Sequence, residues 1–326
     1  MIGNISKYSM QPVFLDKKWD DFVDSSDNGT AFVYSEYLNS LQLNIQPYFC
    51  YKGQELMAAV LCILSKNGKN IIGHKHVIYD GLIYRNLSFL NHSQRTSEEF
   101  KIQKFVADFL MEKYSGIYFK LHPSIRDLRA FSWCNYHSGG AKYLIDVRYT
   151  SYLSIKDFPE ANKLEDIKAY KNSSVARRQE IRYALKKQVS TKLTKDIDKF
   201  ILFYKKTMTR QSILIDNDDI SDIRKILNAL IGSELCLLME SSNNQNKIGS
   251  MAVFLLDKKR AYYLFGASDP DMRNEHTGTA ILWDSFHLLS KFGYEEVDLE
   301  GVNSPNRGWF KLSFGGSLTP YFHLKK

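Results

Sequence analysis

The stretch that decides the fold of this chain is residues 264–324, LFGASDPDMRNEHTGTAILWDSFHLLSKFGYEEVDLEGVNSPNRGWFKLSFGGSLTPYFHL. Its first residues end a strand-like run, and a helix is predicted from about Thr277 to Phe292. That helix has an apolar face at helical spacing, formed by Ile281, Leu282, Phe286, Leu289 and Phe292. Gly293 follows where a left-handed C-cap is usual. Strands at 297–300 and 318–324 complete a strand, helix, strand order.

A similar order of elements occurs twice along the chain. In the first half the predicted elements are a helix around 36–41, strands at 48–51, 56–65 and 70–78, a helix at 97–113 and a strand at 118–121. In the second half they are helices at 174–188 and 197–209 and strands at 235–240, 249–256 and 261–266. No repeat is visible in the residues themselves. The duplication is therefore a prediction about architecture.

Length and composition indicate a folded protein with two domains. The 326 residues suit two domains, assigned to 1–150 and 151–326, and 44% hydrophobic residues suffice for two cores. The longest apolar stretch, 56–64, is much shorter than the roughly 20 residues of a membrane-spanning helix, which predicts no transmembrane segment. The N-terminal MIGNISKYSM lacks the pattern of a secretory signal. We therefore expect a cytoplasmic protein.

Cysteine and histidine spacing predicts no metal site. The four cysteines, Cys50, Cys62, Cys134 and Cys236, show no CxxC spacing, so we interpret them as reduced core residues. His74 and His76 alternate along a predicted strand, but no cysteine or carboxylate cluster accompanies them. We interpret them as part of a polar strand face.

Positive charge is concentrated in one segment. The formal net charge is +8, and residues 163–195 contain ten basic and three acidic residues. Within it, Arg178, Arg182 and Lys186 lie at positions i, i+4 and i+8 of a predicted helix, which places them on one stripe. Guanidinium groups bind phosphate in a bidentate way, so this stripe is a candidate site for a phosphate-bearing acceptor. The alternative is an ordinary solvated basic face.

The junction before the helix at 277 is a candidate donor site. Backbone N–H groups at a helix N-terminus favour phosphate or pyrophosphate, and Arg273, Thr277 and Gly278 lie at this junction. The run RNEHTGTA at 273–280 meets in part the pattern of a phosphate-binding loop, in which a basic residue precedes a glycine and a small residue.

Several motifs together resemble one known family. They are the strand ending in Gly266–Ala267, the helix carrying Trp283, the Gly293 cap, the strand ending in Gly301 and the run GWFKLSFGG at 308–316. Fainter matches are Thr30, AFVYSEYL at 31–38, YDGLIY at 79–84 and the arginine-rich helix at 177–187. The chain resembles the Fem-type transferases, a branch of the GNAT acetyltransferase superfamily. This implies an α/β (α+β) fold of two tandem GNAT-like domains, each a mixed, mainly antiparallel sheet flanked by helices.

The resemblance also implies an amide-forming transfer and a role for one lysine. Lys311, in the FK dipeptide, is similar in position to the Fem-type lysine that neutralises the developing oxyanion or the donor phosphate. A fixed ammonium suits that task in a water-poor cleft. A solvated lysine beside an aromatic core is the alternative interpretation.

Four carboxylates are candidates to take the proton of the amine. Asp298 and Glu300 alternate along a predicted strand and would therefore share one face. Asp80 and Glu36 are the candidates in the first domain, on the acceptor side. No catalytic triad spacing or nucleophile elbow occurs, which favours direct attack by the amine.

Three functions remain as alternatives. The first is N-acyl transfer from an acyl-CoA cosubstrate to a small amine, such as an amino sugar on a nucleotide carrier. The second is transfer from aminoacyl-tRNA to a peptidoglycan precursor. The third, suggested by the pI near 9.0, is a non-catalytic nucleic-acid-binding protein, but no RNA- or DNA-binding motif supports it and no DNA partner is expected.

Overall fold

The computed structural model describes residues 7–326. The chain divides into two units: the first ends at Arg148 and also includes Pro320–Lys326, and the second is Tyr149–Thr319. The sequence had assigned all of 151–326 to the second domain, whereas the last seven residues lie in the first unit. The N-terminal decapeptide, on which the expectation of no secretory signal rests, lies mostly outside the described residues.

The elements of the first unit follow a strand, helix, strand order. They are β1 (Tyr8–Pro12), α1 (Lys17–Ser25), α2 (Ser35–Ser40), β2 (Ile45–Lys52), β3 (Glu55–Ile63), β4 (Gly81–Tyr84), α3 (His92–Lys113), β5 (Tyr118–Lys120) and α4 (Arg129–Ser132). Strand β6 (Leu144–Ser154) contains the boundary between the two units.

The first unit is built on a four-stranded antiparallel sheet in the order β1-β2-β3-β4. Its core combines the apolar face of α3, represented by Ile102, Val106 and Leu110, with buried strand residues such as Val60. Helix α3 begins five residues before its predicted start because Asn91 and Gln94 form a capping box ahead of the apolar periodicity.

The second unit contains the remaining elements. They are α5 (Lys168–Asn172), α6 (Val175–Lys186), β7 (Ser190–Leu193), α7 (Ile197–Arg210), α8 (Asn217–Leu230), β8 (Cys236–Ser242), β9 (Ile248–Leu256), β10 (Ala261–Ser268), α9 (Thr277–Lys291), β11 (Glu296–Asp298), α10 (Pro305–Leu312) and β12 (Ser317–Lys325). The C-terminal part of β12 lies in the first unit, where it pairs with β5.

The sheet of the second unit is mixed. Its strands are ordered β6-β11-β10-β9-β8-β7, and all neighbours are antiparallel except β10 and β11. The apolar face of α9 joins the core of this unit through Leu282, Phe286 and Leu289, together with sheet residues such as Phe254. The helix predicted from its periodicity is thus present in the expected place.

The predicted strand at 70–78 is wrong. This segment consists of turns and isolated bridges, because Gly73 adopts a positive φ of 63° and interrupts any extended run. His74 and His76 therefore do not alternate along a strand, and their rings contact each other at 5.5 Å between centroids. All four cysteines are buried and unbridged, as predicted.

Within residues 7–326, the helices include none with the length and apolar character needed to cross a membrane.

Candidate functional site

The parallel pairing of β10 and β11 stops after two positions, where β11 ends. They pair at two positions, Ala261 with Val297 and Tyr262 with Asp298, and then β10 continues to Ser268 while β11 ends. A bulge between Tyr263 and Phe265 bends β10 just past the last pair. The region beyond the carboxyl ends of parallel strands is a common position for ligands in α/β folds.

The ammonium group of Lys311 lies between the residues that follow β11 and the Tyr263 ring of β10. Helix α10 carries it, and Nζ donates a hydrogen bond to the carbonyl of Glu300 at 3.2 Å. Nζ also lies 5.2 Å from the centroid of the Tyr263 ring, within the range of a cation–π contact. Lys311 is therefore not a solvated surface lysine.

Burial changes the protonation chemistry of Lys311. Desolvation lowers the pKa of its ammonium group to about 8, although the carboxylates of Glu300 and Asp298 act in the opposite direction. A group with this pKa is cationic at neutral pH and is held where water screens it poorly. Such a cation is suited to stabilising an oxyanion.

Glu300 lies in a turn after β11 rather than on the strand. The strand ends at Asp298, and Glu300 has a positive φ of 51°, the left-handed conformation that residues other than glycine rarely adopt. The alternation that placed Asp298 and Glu300 on one strand face therefore does not extend to Glu300. The Glu300 side chain is buried. Its carboxylate and that of Asp298 both act to raise the pKa of Lys311.

Asp298 is fully buried at the end of β11. Its Oδ1 atom accepts a hydrogen bond from the hydroxyl of Thr150, on β6, and a second from the backbone N–H of Glu300 at 2.8 Å. The structure thus brings together Lys311, Glu300 and Asp298, the three candidates for catalysis.

Two tyrosines of this site were not predicted. Burial and the nearby Glu300 carboxylate raise the pKa of Tyr263, and burial raises the pKa of Tyr204, on α7, to about 12. A Cβ atom on Gly266 would lie only 1.8 Å from the Tyr263 hydroxyl oxygen, so a larger residue there would displace the ring. Gly266 was the available signal, since glycine within a strand often marks close approach.

The predicted donor residues lie around the first turn of α9. Arg273 is exposed and Gly278 is half-buried, whereas Thr277 is buried with its hydroxyl 3.0 Å from that of Ser250. A Cβ on Gly249 would approach the Thr277 hydroxyl to 2.5 Å, which shows how closely this turn packs on β9.

A carboxylate from α6 also lies at this helix N-terminus. Glu180 Oε2 accepts a hydrogen bond from the Thr279 hydroxyl at 2.7 Å and lies 3.8 Å from Nδ1 of His276. Arg177 donates to the same Thr279 hydroxyl, and its Nη1 is 3.3 Å from Glu180. The protein's own carboxylate therefore stands near the position where a helix N-terminus would attract a phosphate.

The basic stripe of α6 makes contacts within the second unit. Arg178 donates hydrogen bonds to the carbonyls of Lys171 and Ser173, at the C-terminal end of α5. Arg182 donates to the Tyr170 hydroxyl at 3.0 Å, and Lys186 is exposed. Two of the three residues thus support the neighbouring helix, while much of the stripe still faces solvent.

The two candidates of the first unit differ in burial. Asp80 is buried, its Oδ1 accepts from the backbone N–H of Lys120 at 2.6 Å, and burial raises the pKa of its carboxyl group to about 7. Glu36 is exposed in the first turn of α2. No group of three or more potential metal ligands occurs among residues 7–326.

Comparison with known proteins identifies the fold. No protein-family profile matches the sequence, and no curated protein matches it. The crystal structure of FemX matches with a TM-score of 0.65 and 14% identity over 96% of both chains. The C-terminal domain of a putative lysylphosphatidylglycerol synthetase from Agrobacterium fabrum matches with a TM-score of 0.58 and 11% identity, covering 95% of this chain and 90% of that one.

A third match has two domains of the expected type. A tandem GNAT protein from the clavulanic acid biosynthesis pathway superposes with a TM-score of 0.52 and 7% identity over 98% of both chains. The chain therefore shares its fold with FemX and with this tandem GNAT protein, and the predicted tandem α/β architecture is confirmed.

Proposed function

We propose that this protein is an acyltransferase that forms an amide between an activated acyl donor and an amine, with Lys311 as the catalytic residue. The observation that carries this proposal is the half-buried ammonium group of Lys311, which donates to the Glu300 carbonyl just after the end of β11 and is largely desolvated. The fold shared with FemX and with a tandem GNAT protein supports the same class of reaction.

The chemistry assigned to the site is direct attack. The amine nitrogen bonds to the acyl carbon, negative charge develops on the carbonyl oxygen, and the donor's thiol or alcohol leaves as the tetrahedral intermediate collapses. The Lys311 ammonium stabilises the oxyanion, because a fixed charge in a water-poor site needs no reorganisation during the reaction. The proton released by the amine passes to a base, for which we propose the buried Glu300 carboxylate beside Lys311, and the carboxylic acid so formed returns this proton to the departing sulfur or oxygen.

We propose a small amine as the acceptor, with an amino sugar on a nucleotide carrier as the first candidate. The exposed part of the α6 stripe, Arg182 and Lys186, supplies cations for its phosphates. Asp80 and Glu36 remain proposals for acceptor binding in the first unit.

The donor has two candidates. Acyl-CoA is the first, with Arg273, Thr277 and Gly278 as the proposed binding residues. One observation favours the second, aminoacyl-tRNA: the Thr279 hydroxyl in the first turn of α9 is already bound by the paired Glu180 and Arg177 side chains, which take up space that a pyrophosphate at this helix N-terminus would need. Transfer to a peptidoglycan precursor is the corresponding alternative function.

Parallel assays separate these alternatives. The purified chain is incubated with a UDP-linked amino sugar and either acetyl-CoA or a mixture of aminoacyl-tRNAs, and amide products are identified by mass spectrometry. An amide that forms with wild type and is lost with Lys311→Met supports the proposal. Absence of any amide with both donors and a panel of amines, together with salt-sensitive binding of generic RNA, would favour a non-catalytic nucleic-acid-binding protein.

A further inference from the structure

Asp298 is held in a way that fixes the backbone after β11. Its side chain is 0% exposed, and Oδ1 receives hydrogen bonds from the Thr150 hydroxyl and from the backbone N–H of Glu300, two residues further along. Thr150 is also 0% exposed. Side-chain acceptance from the N–H two residues ahead is the geometry by which aspartate stabilises a turn.

The turn determines where the Glu300 carbonyl points. Glu300 adopts a positive φ of 51°, and this conformation is energetically unfavourable for a residue other than glycine unless its surroundings hold it. The hydrogen bond from its N–H to Asp298 supplies part of that support. The Glu300 carbonyl oxygen then accepts the hydrogen bond of 3.2 Å from Lys311 Nζ.

We propose that Asp298 is a positioning residue, which holds the Lys311 ammonium group in place through the main chain of Glu300. This inference rests on the proposed function, because it assigns Lys311 the catalytic task. The chain of contacts is short and continuous: Thr150 to Asp298, Asp298 to the Glu300 N–H, and the Glu300 carbonyl to Lys311.

This role differs from that of a general base, the function for which the sequence made Asp298 a candidate. A base must be within hydrogen-bond reach of the substrate proton, directly or through one water. The Oδ1 atom of Asp298 is already occupied by two protein donors, the Thr150 hydroxyl and the Glu300 N–H. The carboxylates of Asp298 and Glu300 raise the pKa of Lys311, whereas Arg307, which lies on α10 like Lys311, lowers it.

Two substitutions at one position distinguish positioning from proton transfer. Asp298→Asn keeps an oxygen that can accept from Thr150 and from the Glu300 N–H, whereas Asp298→Ala removes it. For a positioning residue, we expect kcat of Asp298→Asn to stay within about fivefold of wild type and kcat of Asp298→Ala to fall about 10²-fold, the effect of misplacing a catalytic group by about 1 Å. Equal losses of 10²-fold or more in both variants would assign Asp298 to proton transfer and overturn the proposal.

Substitutions at Thr150 test the same contact from its other side. Thr150→Val removes the hydroxyl donor and keeps the shape, and Thr150→Ser keeps the donor. We expect Thr150→Val to lower kcat several-fold with little change in KM and Thr150→Ser to remain close to wild type. These variants also carry the test if the Asp298 variants fail to fold. Equal activity of the valine and serine variants contradicts the proposal.

A readout independent of turnover keeps this inference separate from the proposed function. The Lys311 ammonium is titrated by NMR in lysine-labelled wild type, Asp298→Asn and Asp298→Ala, with Lys311→Met used to assign the signal. Both variants lack the carboxylate charge that raises the pKa of Lys311, but only Asp298→Ala also removes the oxygen that holds the Glu300 N–H, so we expect the Lys311 signal and its titration to differ between the two variants. Identical Lys311 signals and titrations in the two variants overturn the proposal. Full activity of Lys311→Met instead refutes the proposed function and leaves the NMR result interpretable.

Discussion

Replacing Lys311 by methionine separates catalysis from folding. Methionine keeps much of the side-chain volume but cannot supply a cation to an oxyanion. We expect kcat to fall by about 10² to 10³, the typical effect of removing one stabilising group from such a site. The effect on KM should be small, because the charge that Lys311 stabilises develops only in the transition state.

The stability of Lys311→Met should stay the same or increase, although its kcat falls. Burial lowers the pKa of Lys311 to about 8, so the native state at pH 7 holds a charge that its surroundings disfavour. A displacement of this size corresponds to about 3 kcal/mol, an upper limit for the gain from removing the charge. Thermal or urea unfolding at pH 7 should therefore show Lys311→Met as stable as wild type, or more so.

The pH dependence provides a second measurement. Lysine is cationic below its pKa, so we expect kcat of wild type to decline as the pH rises through about 8. The free energy of unfolding should increase over the range between pH 8 and the ordinary lysine pKa, because there the unfolded chain binds a proton that the native chain does not.

A matched control is Lys156→Met, since the Lys156 side chain is 70% exposed and pairs with an exposed carboxylate, Glu295. It should change neither activity nor stability by more than about 0.5 kcal/mol. Activity of Lys311→Met within twofold of wild type, with a normal melting curve, would refute the role assigned to this lysine.

Three further substitutions test other parts of the site. Arg182→Ala should raise the KM for a phosphate-bearing acceptor with kcat nearly unchanged, and steady-state kinetics that show an unchanged KM would remove the α6 stripe from the acceptor site. Glu180→Ala should lower the melting temperature, because a carboxylate near a helix N-terminus stabilises the fold by about 0.3–1 kcal/mol. Added acetyl-CoA should restore the melting temperature of this variant only if the first turn of α9 then binds the donor. Gly266→Ala should lower kcat and reduce the free energy of unfolding by about 1–3 kcal/mol, because the new Cβ would displace the Tyr263 ring that lies under Lys311. Wild-type values in calorimetry and kinetics would contradict this packing argument.

The sequence was informative where a local pattern determines structure. The apolar periodicity of 281–292 predicted α9, and the FK motif made Lys311 a candidate, which the structure places beside Glu300. Glu300 could not be placed correctly, because the alternation rule assumes a continuous strand and the left-handed turn depends on the side chain of Asp298. Tyr263 was missed because the bulge in β10 changes its direction.

The environment of the α9 N-terminus could not be predicted from local patterns either. Glu180 reaches it through a tertiary contact between α6 and α9, which lie about a hundred residues apart in sequence, and no local spacing encodes that contact. The contacts of the basic stripe could not be predicted for the same reason. Arg178 and Arg182 contact α5 and the residue that follows it, and no local spacing encodes these contacts.

The return of residues 320–326 to the first unit has a consequence for how the chain is made. Leu324 is 0% exposed and belongs to the core that also contains Val60 and Val106. That core cannot be completed on the ribosome by the N-terminal half alone, because all of Tyr149–Thr319 must be synthesised first. We therefore expect the first unit to complete its core only after the second has been synthesised, in contrast to the usual N-terminal-first order of domain folding.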